Sequence, residues 1–238
     1  MRLVYISVVA FSILACSKDE GKDKPKAEVS EVVEPTATAA STAGSTPTSS
    51  NPAPPSTNDS GASDAAPAAS AEEAYVLTPA NTKVAFTGQK VGGNHNGSFQ
   101  KFTGNLVLLS ATLEQSKVDL EIETTSLKTD SAKLDAHLKS GDFFDVAKFP
   151  KARFKSVSLK PIDAKNATHT LSGVMEIKGI KRTMSFPVKI SVNDEAVTAK
   201  ADFVLSRKAF KIDFDGAADY LIKDDVPMSL SINLPRKK

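Results

Sequence analysis

Three histidines, one cysteine and a cluster of aspartates are the residues of this chain that could do chemistry. His137 sits in the run D-A-H-L-K-S-G-D-F-F-D, residues 135–145, where Asp135, Asp142 and Asp145 could each orient its ring. A histidine held by a carboxylate is an arrangement used in general acid–base catalysis. Asp135 and His137 are two apart, however, and residues two apart on a helix do not share a face. No serine or cysteine stands in a recognisable nucleophile motif. The simpler reading is a histidine that fixes local structure, with contact to the polar end of a ligand as the functional alternative. His95, His137 and His169 lie in separate segments without ligand spacing such as H-x-x-x-H, so no metal is expected. No haem-attachment motif is present either, and no cofactor is assigned.

Cys16 closes an apolar run from Leu3 to Ala15 that Arg2 precedes. The run is shorter than the roughly 20 residues of a membrane span, and residues 1–15 read as a signal peptide. Ile13-Leu14-Ala15-Cys16 resembles a bacterial lipobox, in which the cysteine becomes the lipidated first residue of the mature protein. Ser17 stands where an aspartate would imply inner-membrane retention, so the resemblance implies an outer-membrane anchor facing the periplasm. A lone cysteine can form no intramolecular disulfide.

Residues 17–74 contain no aromatic side chain and are dominated by Ala, Ser, Thr, Pro, Asp and Glu. Such a stretch buries too little apolar surface to offset the entropy of ordering, and 16–74 is expected to be a disordered tether. Its reach as a flexible chain would be on the order of 40 Å, enough for a domain to work away from the bilayer. Beyond it the balance is basic, with 25 Lys and Arg against 18 Asp and Glu from Lys83 onward. The cations are scattered singly and form no basic motif, which argues against nucleic acid as a partner.

From Tyr75 the pattern becomes period-two alternation, the mark of strands with one face on a core. Eight runs can be placed, near 83–90, 98–109, 117–125, 152–160, 168–178, 182–192, 197–205 and 226–234. In the third, Val118, Leu120 and Ile122 alternate with Asp119, Glu121 and Glu123. Gly104 inside the second predicts a bend or bulge. Lys178–Lys181, K-G-I-K, reads as a tight hairpin turn. An antiparallel barrel closes such a set without leaving edges, and eight strands leave room inside for one small ligand. A β-sandwich is the alternative. A membrane pore is not, because Asp119, Glu121, Glu123, Lys189 and Lys200 would face lipid.

The exception to the alternation is 130–154. Asp130 or Ser131 can cap a short helix, with Leu134, His137 and Leu138 on one face and Gly141 as the stop. Phe143, Phe144 and Phe149 follow and could plug one end of the barrel. Together D-A-H-L-K-S-G-D-F-F-D and K-F-P-K-A-R-F (148–154) resemble the signature of the YceI-like polyisoprenoid-binding family. G-S-F-Q-K-F-T-G-N-L (97–106), S-G-V-M-E-I-K-G-I-K-R (172–182) and L-S-R-K-A-F-K-I-D-F (205–214) match in order, so the likeness covers 75–238.

The resemblance implies an all-β fold, a lipocalin-like eight-stranded antiparallel barrel with one inserted helix. It also implies that the apolar interior takes up an isoprenoid lipid. The interior candidates are Phe86, Phe99, Phe102, Leu106, Leu108, Leu120, Ile122, Phe143, Phe144, Phe154, Met175, Ile177, Phe186, Phe203, Phe214, Met228 and Leu230. His137, Asp135 and Arg207 are candidates for a polar head group, and Cys16 for lipidation. Alternation alone leaves open whether the barrel is hollow or filled. The expectation is a non-catalytic periplasmic carrier of a polyprenyl or quinone-like lipid. The alternatives are an enzyme acting on such a lipid around His137 and a filled interaction scaffold. Pairing of two barrels into a homodimer stays open.

Overall fold

The computed structural model describes Asp19 and residues 21–32, 72–214 and 221–236, and in it the alternating runs curl into a barrel. In chain order the first strands are β1 (Glu28–Glu31), β2 (Glu72–Leu77), β3 (Thr82–Lys90), β4 (Gly93–Phe99), β5 (Phe102–Leu109), β6 (Lys117–Glu123) and β7 (Leu127–Thr129). The helix α1 (Ala132–Lys139) follows, then β8 (Lys151–Ala164), β9 (Ala167–Ile177), β10 (Ile180–Val192), β11 (Ala196–Ser206) and β12 (Asp225–Pro235). Cys16, the apolar leader and residues 33–71 lie outside the described residues.

The antiparallel ladder runs β2-β5-β6-β8-β9-β10-β11-β12-β3-β4-β7. It closes because β4 turns a corner into β5 and β6 turns one into β7, and the two bent runs pair on both sides of their corners. The corners clasp each other: Gln100 N–H donates to the Ser126 carbonyl (3.2 Å) and Glu123 N–H to that of Lys101 (3.0 Å). A third corner joins β2 to β3, where Thr78 N–H donates to Asn81 Oδ1 at 2.9 Å. Eight runs of chain therefore make the barrel, and three of them are each split by a corner into two ladder strands.

Gly104 is not at a bulge. It lies in regular β5, where a Cβ would collide with the Asp119 carbonyl of β6, so glycine permits close approach there. Register shifts fall instead in β8, between Ser156 and Ser158 and between Pro161 and Ala164. The β9–β10 hairpin turns on Lys178 (φ 52°) and Gly179 (φ 74°), the two left-handed residues that its turn type requires. Ser131 caps α1 as expected, but Gly141 is not its stop. Ser140 ends the helix by donating its N–H (3.1 Å) and hydroxyl (2.8 Å) to the His137 carbonyl. The left-handed residue in this loop is Asp145, at φ 46°.

The expected tether is corrected at both ends. Glu72, Glu73 and Ala74 open β2, where Arg236 Nη2 donates to Glu73 Oε1 at 2.6 Å. Upstream, Pro25 to Glu31 form part of the barrel wall. β10 pairs with β11 only over Lys189–Val192. Ile190 N–H points the other way, to Thr168 Oγ1 on β9 (2.9 Å), so the N–H groups facing β11 belong to alternate residues. The next in that series would be that of Pro187, which has none, and the two strands part. Into the gap comes the N-terminal segment. β1 pairs with Arg182–Ser185, Ala27 N–H donates to the Val204 carbonyl (2.8 Å), and Val204 N–H donates to that of Pro25 (2.9 Å). Ala27 is buried and Val29 packs on the core. The barrel supplies the apolar surface, so the segment orders without an aromatic residue of its own. Only residues 17 and 18 separate Cys16 from Asp19, whose carboxylate meets Lys223 Nζ at 2.6 Å, so a long reach from Cys16 does not hold.

Candidate functional site

Alternation sends one face of every strand inward, and what those faces enclose is a cavity of about 540 Å³. That lies within the roughly 300–1,000 Å³ typical of small-molecule sites. The interior is hollow. Of the residues expected there, Phe86, Phe99, Leu106, Leu108, Leu120, Ile122, Phe143, Phe144, Phe154, Met175, Ile177, Phe186, Phe203, Phe214, Met228 and Leu230 line it. Phe102 does not. It is buried in the wall where β5 restarts after its corner. Val84, Met184, Val188, Ala201 and Leu205 also line the cavity, and the same alternation would have found them, since they stand two residues from Phe86, Phe186 or Phe203.

The two ends differ. Leu77, Leu108, Val197 and Leu234 pack into a buried cluster at the far end. At the other end α1 and the loop after it lean over the opening, and their aromatic rings knit to those of the wall. Phe143 and Phe214 stack at 5.8 Å with planes 8° apart, and the His137 ring stands edge-on to both, at 4.9 and 5.2 Å. Phe99 bridges Phe86 (5.8 Å) and Phe144 (6.2 Å). Phe149 plugs nothing here: its ring lies against the Gly179 turn.

The polar residues near this end are largely committed to one another. His137 Nε2 is 3.3 Å from Asp142 Oδ2, so its carboxylate partner is Asp142 rather than Asp135. Asp135 is turned away from the cavity. It accepts from Thr129 Oγ1 (2.7 Å) and Lys128 Nζ (2.8 Å), fastening α1 to β7. The Lys128 ammonium, with Thr129, holds its carboxyl down to about 2. Arg207 reaches the cavity wall, but its guanidinium donates to the carbonyls of Ile212 (2.6 Å), Lys223 (3.2 Å) and Ile222 (3.2 Å), bracing the chain between β11 and β12. Neither Asp135 nor Arg207 is placed as a free head-group ligand. His95 lines the mouth, and its Nδ1 lies 2.7 Å from Asp130 Oδ1. The contact holds the Asp130 carboxyl below its ordinary range. His169 is buried elsewhere, against Thr168 Oγ1 (2.8 Å). Among the described residues no group of three or more His, Cys, Asp or Glu could hold a metal ion.

Comparison with known proteins agrees with this geometry. The chain is 36% identical over 100 residues to a UPF0312 protein of Pseudomonas putida, a match covering 42% of this chain and 50% of that one. It spans about half the length of that relative. A UPF0312 protein of Vibrio parahaemolyticus is 30% identical over 131 residues, covering 52% of this chain and 68% of the relative. Among solved structures, Burkholderia cenocepacia BcnA superposes with a TM-score of 0.60 at 22% identity, over 65% of this chain and 97% of that one. A polyisoprenoid binding domain from Saccharophagus degradans, implicated in plant cell wall breakdown, superposes at 0.50 and 11% identity, over 69% and 98%. The YceI-like domain model matches residues 75–234, and with the closed barrel and its helix-covered mouth this places the chain in the YceI-like family.

Proposed function

We propose that this protein is a non-catalytic carrier that holds an isoprenoid lipid, polyprenyl or quinone-like, inside its barrel. The observation that carries the reading is the cavity itself: about 540 Å³ walled mainly by aliphatic and aromatic side chains, with His137 paired to Asp142, His95 to Asp130 and Arg207 to backbone carbonyls where they line it. A branched hydrocarbon chain gains about 0.8 kcal/mol per buried CH₂, so a few five-carbon units suffice for binding after ordering costs, without a charged contact. The polyisoprenoid binding domain among the structural neighbours supports the ligand class. His137, wedged edge-on between two phenylalanines, is a wall residue that meets the ligand near its head.

The anchor belongs to the same proposal. Lipidation at Cys16 on the outer membrane would hold the barrel at the periplasmic face of the bilayer, because Asp19 is already bound beside the mouth. Fractionation tests this: Cys16→Ser is expected to release the protein from membranes, and continued attachment contradicts it. Incubation with a prenyl alcohol or a quinone separates carrier from catalyst. The carrier returns the lipid chemically unchanged and His137→Ala still binds it. Turnover that His137→Ala abolishes contradicts the reading.

A further inference from the structure

Beyond Pro187, β10 and β11 are not joined to each other in the barrel wall. The edges of this seam are Met184, Phe186, Phe203 and Leu205, all of which also line the cavity. Residues 25–31 fill this seam. β1 has four residues, and only Ala27 and Val29 turn apolar side chains inward. Forty positions, 32–71, separate β1 from β2 in the sequence.

Its other ties are ion pairs at the surface. Asp19 meets Lys223 at 2.6 Å, Lys24 meets Asp202 at 3.8 Å, Lys26 meets Asp225 at 2.6 Å and Glu31 meets Arg182 at 2.9 Å. At least one partner in each pair is well exposed, and such pairs contribute little and weaken with salt. A short strand with little apolar burial and solvent-exposed bonds is where local opening is expected. The mouth, by contrast, is roofed by α1 and its interlocked rings.

We propose that the β10–β11 seam is a lateral portal for the lipid, and that residues 25–31 are its removable wall. Rolling this segment out opens the side of the cavity along Met184, Phe186, Phe203 and Leu205, and a long flexible chain enters sideways while α1 stays seated. The inference rests on the carrier reading and adds the route to it. It also gives the nearness of Asp19 to Cys16 a use, since the movable strand is the part of the barrel next to the proposed membrane anchor.

The test is a reversible lock. Ser30 and Thr183 are register partners on the outer face of β1 and β10, so Ser30→Cys with Thr183→Cys, in the full chain carrying Cys16→Ser, can be closed by oxidation. The probe is a fluorescent polyene fatty acid. The oxidised protein is expected to take it up at least about tenfold more slowly than the reduced one, with reductant restoring the rate and affinity little changed, since a tenfold step is well resolved kinetically. Equal uptake rates in a protein that binds the probe overturn the portal and leave the carrier reading standing. Failure of both forms to bind the probe removes the carrier reading and the portal with it. A second measurement needs no ligand. The amides of Ala27 and Val204, which bond within the seam, are expected to exchange with deuterium on the order of 100-fold faster than those of Phe203 and Leu205, which face β12. Exchange as slow as that of the β11–β12 ladder makes the segment a permanent wall and overturns the proposal.

Discussion

The ring tip of Phe86 occupies the space that a side chain at Gly97, its partner across β3 and β4, would need. The pairing sets the orientation of a ring that lines the cavity and leads, through Phe99, to the Phe144 of the helical cover. Gly97→Ala is therefore expected to swing Phe86 and loosen this end of the barrel. Overpacking of this kind costs about 1–3 kcal/mol. Urea unfolding checks the stability, and binding of a polyene fatty acid checks the cavity, which should weaken in parallel.

Ala201 is a small residue on the cavity wall, 4% exposed. Ala201→Trp is expected to fill the cavity while keeping the fold, because the added ring enters a void rather than packed core. Retained or titrated lipid should fall at least about tenfold, equivalent to about 1.4 kcal/mol, with the circular dichroism spectrum unchanged. Undiminished binding would place the ligand outside the barrel.

Phe210 is fully buried beneath the turn between β11 and β12 and lines the cavity from that side. Phe210→Ala should cost about 3–5 kcal/mol, the range for removing a buried aromatic ring. The measurement is the shift in urea midpoint at constant slope.

Glu73 fastens β2 to the chain after β12. The Arg236 guanidinium, helped by the Tyr75 and Ser110 hydroxyls, holds its carboxyl down from 4.5 to about 2. A depressed carboxyl stabilises the fold above the unfolded value, and the contribution is lost as pH falls from about 4.5 through about 2. Glu73→Gln is accordingly expected to flatten the acid limb of stability in that window and to change little in its slope above it. Urea midpoints at pH 6, 4 and 2.5 would check the sign; an unchanged acid limb contradicts it.

Much of the barrel could be read from residue order, because Val118, Leu120 and Ile122 report the dry face of β6 and the lysine–glycine pair reports the β9–β10 turn. Both are local signals. The inward face also named most of the cavity wall, since a period of two fixes direction once one residue is placed. What could not be read depends on partners distant in sequence. β1 looks like charged linker because β10 and β11 supply its pairing and its apolar surface. Asp135 and Arg207 look like ligand groups until Lys128 and the carbonyls of Ile212, Ile222 and Lys223 are seen to occupy them. Phe102 has the right parity, and only the corner before it takes it off the cavity.

The central claim, that the hollow barrel carries an isoprenoid, is tested most directly by mass spectrometry of organic extracts of the protein isolated gently from its native cell envelope. A long-chain isoprenoid should be recovered in near-stoichiometric amount from the native protein and be largely absent from Ala201→Trp. Repeated preparations of the native protein that yield no lipid, or yield the same lipid from Ala201→Trp, would contradict it.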